Sequence, residues 1–187
     1  MRTRTLALLL VALAAVAAGC GDRSLMLSVD IASYIDPAVK DVSFGPVPVL
    51  PGGVATGEQA LVDDMNVNLL SSMNDVVDVK DVELTLTTIA SATRGNGVDT
   101  LRVYLSDENT DPRSTAPVLV QALEFAAGAP DTVQSTFGDD ARVAALFTNK
   151  ALRMTLTTSM RGPASGDSLS GRLQIRGLDA VIIAGRQ

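Results

Sequence analysis

The chain has 187 residues, with 15 Lys and Arg against 21 Asp and Glu, no histidine, no tryptophan and a single cysteine, Cys20. That length suits one ordinary domain with a real core and is short for two. The absences exclude Ser-His-Asp and Cys-His catalytic units, His- or Cys-ligated zinc, His-ligated haem and any disulfide framework.

At the start, Arg2 and Arg4 precede a 13-residue apolar run, Leu6 to Ala18, that ends in small residues. This is the pattern of a secretory signal, and the run is too short to span a bilayer permanently. The following Ala17-Ala18-Gly19-Cys20 resembles the lipobox of bacterial lipoproteins. The resemblance implies cleavage between Gly19 and Cys20, a diacylglyceryl group on the Cys20 thiol and an acylated new amino terminus. It divides the chain into a signal peptide over 1–19, a lipidated cysteine and short tether over 20–24, and a single domain over 25–187. Two or three acyl chains make such an anchor effectively permanent, where one chain is reversible. The expected location is therefore the bacterial cell envelope, held to a membrane through Cys20. Gly21, rather than Asp, follows the cysteine, which by the same resemblance favours the periplasmic face of a Gram-negative outer membrane.

The first 19 residues hold two of the 15 basic residues and none of the acids, leaving 13 against 21 and a net charge of −8. Such a domain is pushed away from anionic lipid rather than drawn to it. With no basic cluster and only four Phe and two Tyr as aromatics, no nucleic-acid partner is expected, since cations and stacking platforms are both missing. A sugar platform is disfavoured for the same lack of aromatic faces.

Period-two alternation dominates the rest. Leu25, Leu27, Val29 and Ile31 form one strand face, and Phe44 to Gly53, punctuated by Pro46, Pro48 and Pro51, is restricted to an edge or a loop. Residues 57–64 and 70–75 each allow a helical turn, and Met65, Val67 and Leu69 alternate again. The clearest strand is Val82 to Thr88, with Leu101 to Leu105 expected as its hairpin partner through Gly95-Asn96-Gly97. Val118 to Phe125 is apolar on both faces, as in a central strand. Asp139 to Asn149 predicts the one helix, capped by Asp139 or Asp140 and striped by Val143, Leu146 and Phe147. Leu152, Met154 and Leu156 then alternate with Arg153, Thr155 and Thr157, with Leu173 and Ile175 expected to complete a second hairpin across the 162–168 loop. Leu178 to Ile183 joins a sheet. The predicted class is all-β: an antiparallel β-sandwich of the immunoglobulin-like or jelly-roll kind, with one short helix near 139–149.

Three patterns carry candidate chemistry. Gly166-Asp167-Ser168-Leu169 spells the signature of the GDSL-type hydrolases, but that family needs a histidine base, so these residues read as a turn. Asp107, Asn109 and Asp111 alternate as calcium ligands do, resembling the start of an EF-hand loop. Pro112 and Val118 stand where that loop requires Gly and Glu, which leaves a looser calcium site or ordinary Asx turns. Asp75, Asp78 and Asp81, and Asp139 with Asp140, could supply the paired carboxylates of a glycoside hydrolase only if the fold sets two of them across a cleft. Without histidine the chain is poor in proton shuttles at neutral pH. The leading expectation is thus a non-catalytic binding or structural module of the envelope without a cofactor. The alternatives are a calcium-stabilised binding or adhesion module, a carboxylate-only glycoside hydrolase, and a holder of an apolar ligand between its sheets.

Overall fold

A computed structural model describes residues 24–67, 76–128, 130–148, 151–162 and 167–186. In chain order these form β1 (Ser24–Asp30), α1 (Pro37–Lys40), β2 (Asp41–Pro48), β3 (Val54–Val67), β4 (Val76–Arg94), β5 (Gly97–Ser106), β6 (Leu119–Phe125), β7 (Asp131–Phe137), α2 (Ala141–Thr148), β8 (Leu152–Arg161) and β9 (Ser168–Arg186). Short 3-10 turns lie at Ile31–Tyr34 and Pro112–Ser114. The fold is an antiparallel all-β sandwich, as the alternation predicts.

One sheet runs β1-β9-β4-β7, with β2 also on β9, and the other runs β3-β8-β5-β6. β1 pairs with the later part of β9, Ser24 opposite Gly185, and β2 with its earlier part, Asp41 opposite Gln174. Together they act as one edge strand interrupted by residues 31–40, so the sandwich has eight strand positions. From β2 onward every connection except β5–β6 passes from one sheet to the other, which is the order of a jelly roll, and the immunoglobulin-like grouping is not the one adopted.

That topology corrects both expected hairpins. β4 pairs with β7 and β9, and β5 with β6 and β8, so the 95–97 turn carries the chain from one sheet to the other. β8 and β9 likewise lie in different sheets. Alternation shows which face a strand buries but not which neighbour it pairs with, and a short turn serves a sheet-crossing corner as well as a hairpin. β6 is an edge strand rather than a central one, with burial alternating strictly and Val120 at 54% exposure. Residues 57–64 are strand, inside the 14-residue β3, because pairing with β8 overrides their local helical allowance. Residues 70–75 lie outside the described residues.

The core fills the space between sheets with Leu84, Leu86, Leu101, Leu123, Met154, Leu156, Leu169, Leu178 and Ile182, among others. α2 closes one flank by burying Val143, Ala144 and Phe147, and the Asp140 carboxylate caps it by accepting from Arg142 N at 2.8 Å. Polar side chains share this interior as two hydrogen-bonded pairs, Thr88 with Gln121 and Thr158 with Asp99. Gln121 and Asp99 are each 1% exposed.

Candidate functional site

An open cleft of about 600 Å³ lies at the end of the sandwich where β5 begins and β6 and β8 finish. Its volume falls in the range of small-molecule sites. Val98, Phe125, Ala126 and Pro130 supply apolar surface, and Asn96, Glu124, Asp131 and Arg161 supply polar groups around it. Register explains the arrangement: Val98 is directly opposite Glu124 on β6 and directly opposite Arg161 on β8. Lateral neighbours in register project to the same face, so an apolar residue is flanked by opposite charges. Gly97 is required at the base, because a Cβ there would lie 2.6 Å from the Arg161 carbonyl oxygen and 2.9 Å from the Phe125 ring. The Phe125 ring packs edge-on against Phe44, with centroids 5.8 Å apart at 62°.

One register step inward, Asp99 sits opposite Leu123 and Met160 on the core face of β5. Its Oδ1 accepts from the Thr158 hydroxyl, while Oδ2 is buried without a partner. Burial pushes its carboxyl up to about 6, with the Thr158 hydrogen bond offsetting only part of the desolvation.

A second polar cluster covers the outer face of the β3-β8-β5-β6 sheet. Glu58 accepts from the Thr157 hydroxyl at 2.7 Å and from the Tyr104 hydroxyl at 2.8 Å, and Arg102 stands 3.9 Å away. These donors, Thr157 before Tyr104, hold the Glu58 carboxyl below its ordinary range, and burial together with Glu58 raises the Tyr104 hydroxyl. Thr155 and Thr157 face away from the core and are buried all the same. β3 is bulged along this pairing, and its Glu58 carboxylate and Asp64 N reach Thr157 and Thr155, Asp64 N donating to Thr155 Oγ1 at 3.1 Å.

Cys20 and Gly19 lie outside the described residues. Asp107 Oδ1 accepts from Asn109 N at 2.9 Å, and Asp111 Oδ1 from Arg113 N at 2.9 Å, so both carboxylates act within local turns. Hydrogen bonds from Thr110 and the Asn109 backbone hold Asp107 below the ordinary carboxylate range. Arg153 reaches this loop, donating to the Thr110 carbonyl at 3.2 Å while it pairs with Asp64. Among the described residues no three His, Cys, Asp or Glu groups converge as a metal site. Ser168 opens β9 opposite Pro48. Asp78 and Asp81 are on β4, Asp139 and Asp140 precede α2, and Asp75 is outside the described residues, so the nominated acids do not assemble around the cleft. Glu124 and Asp131 do line it, and neither belongs to a local motif. Four separate segments build the site, and only the Gly95-Asn96-Gly97 turn marks it in the sequence.

No family model and no curated protein matches the sequence. Among solved structures, the chain is similar to one of infectious bursal disease virus Gt strain, with a TM-score of 0.48 and 14% identity, over 86% of this chain and 32% of that one. Infectious bursal virus-derived T=1 particles give 0.44 and 15%, over 87% and 32%. The VP2 subviral particle of the same virus gives 0.40 and 12%, over 88% and 38%. The chain thus spans about a third of the length of those chains. Its assignment as a jelly-roll sandwich rests on the strand order instead.

Proposed function

We propose that the protein is a bacterial lipoprotein, anchored through lipid on Cys20, whose jelly-roll domain is a non-catalytic binding module of the cell envelope. The observation that carries this reading is the distance between anchor and fold. Ser24 is already paired with Gly185 in a sheet, only four positions after Cys20. At no more than about 3.3–3.6 Å per residue those four positions can reach roughly 14 Å at most, so an acylated Cys20 would hold the domain against its membrane. The acidic surface keeps the domain in water above the lipid, leaving the cleft open to a partner. By the resemblance of its leader, the outer membrane's periplasmic face is the favoured location.

The test is labelled-palmitate incorporation in a bacterial host, for the full chain and for Cys20→Ser. The expected result is label and membrane partition in the parent and loss of both in the variant. Label that persists in Cys20→Ser, or a parent that takes up none, overturns the anchor.

A further inference from the structure

The cleft carries three charged side chains, Glu124, Asp131 and Arg161, and among the described residues none is engaged in an ion pair. Three charges unpaired among the described residues, set around an apolar floor, define what can fill it. Arg161 and Glu124 flank Val98 on neighbouring strands. With strands about 4.8 Å apart, their Cα atoms are roughly 10 Å apart, too far for a direct pair without both side chains leaning inward. Asp131, just past the β6–β7 connection, adds a second carboxylate beside the β6 end.

We infer that the cleft binds a short zwitterionic peptide, its ammonium end at Glu124 and Asp131 and its carboxylate end at Arg161. An extended chain of three residues spans about 10 Å, which matches the roughly 10 Å between the Glu124 and Arg161 Cα positions. The central side chain of such a peptide lies over Val98 and Pro130. Other ligand classes fit less well. A phosphate-bearing ligand meets two carboxylates, and a fully apolar one would strip water from three charges without compensation. A sugar has no aromatic face to stack on, because the Phe125 ring is 3% exposed and occupied by Phe44. The inference deepens the binding-module reading and rests on it for its biological setting, but its chemistry depends on the cleft alone.

The experiment is a calorimetric titration of the purified full-length protein in mild detergent with Ala-Leu-Ala bearing free termini, with its N-acetyl form and with its C-terminal amide. The free tripeptide is expected to bind saturably, and each blocked form about tenfold more weakly, the scale of a lost charge-assisted contact. Arg161→Gln should weaken the free and N-acetyl peptides about tenfold and leave the amide unchanged. Glu124→Gln with Asp131→Asn should weaken the free peptide and the amide but not the N-acetyl form. All three residues are exposed, so these substitutions remove charge without opening the core. No saturable binding up to about 10 mM, equal binding of the three peptides, or a weakening by Arg161→Gln that ignores the peptide's carboxylate each overturns the inference. Palmitate labelling at Cys20 is read separately. A failed titration with labelled Cys20 removes the peptide ligand alone, and unlabelled Cys20 with peptide binding intact removes the anchor alone.

Discussion

The Thr88 hydroxyl of β4 donates to Gln121 Oε1 of β6 at 2.6 Å, joining the two sheets through the interior. The same amide group donates from Nε2 to the carbonyls of Leu86 and Val133, each at 3.1 Å, and approaches Ser135 Oγ at 3.2 Å. Every polar atom of the side chain therefore has a partner in the opposite sheet. A buried group satisfied this fully fixes how the sheets sit on each other, because sliding either one leaves several polar atoms unpaired.

Gln121→Leu should accordingly lower the unfolding free energy by about 2–3 kcal/mol, since it strands the Thr88 hydroxyl in an apolar setting. Adding Thr88→Val should recover part of that loss, because removing both partners is milder than removing one. Urea unfolding of the four proteins in the cycle checks the sign of the coupling.

Asp99 should make stability depend on pH in the direction opposite to that of the paired surface acids. Its folded carboxyl titrates at about 6, against an ordinary aspartate value of 3.8, so the folded state holds its proton more tightly than the unfolded state. Its contribution is favourable at low pH and is lost as pH rises through that window, by about 3 kcal/mol in total. Asp99→Asn removes the dependence. The stability difference between variant and parent should shift in the variant's favour by a few kcal/mol between pH 4 and pH 7, and a flat difference would sink this account.

Tyr104→Phe and Thr157→Val should each raise the Glu58 pKa towards its ordinary value, Thr157→Val by more, because these hydroxyls donate to the carboxylate. Stability should fall by about 1 kcal/mol for Tyr104→Phe, whose partner Glu58 still reaches water. Carboxyl carbon shifts followed by NMR against pH read the first effect, and chemical denaturation reads the second.

The 107–111 loop should melt at the same temperature in chelator and in millimolar calcium. Asp107 and Asp111 accept backbone N–H groups locally, and the Arg153 guanidinium already brings positive charge to the loop. A rise of several degrees with calcium, abolished by Asp107→Ala with Asp111→Ala, would instead establish a metal site there.

Much of the fold is legible along the chain because burial in a strand repeats every two residues. Val82, Leu84 and Leu86, then Leu152, Met154 and Leu156, announce their core faces directly, and the helix after Asp139 declares itself by its cap and apolar stripe. Pairing was not legible. β4 precedes β5 with only a short turn between them, yet long-range contacts with β9 and β8 decide where each strand goes. The same limit hid the cleft. Val98, Glu124 and Arg161 become neighbours only through register across three strands, so no local spacing marks them. Nor did alternation reveal that Asp99 and Gln121 are buried, since their polar side chains break the pattern that points inward. The sequence by itself determined the all-β class and the lack of histidine chemistry, because these are properties of composition and period. Only the tertiary structure decided the jelly-roll order, the polar clamp between sheets and the charged cleft, because each depends on which distant strands share hydrogen bonds.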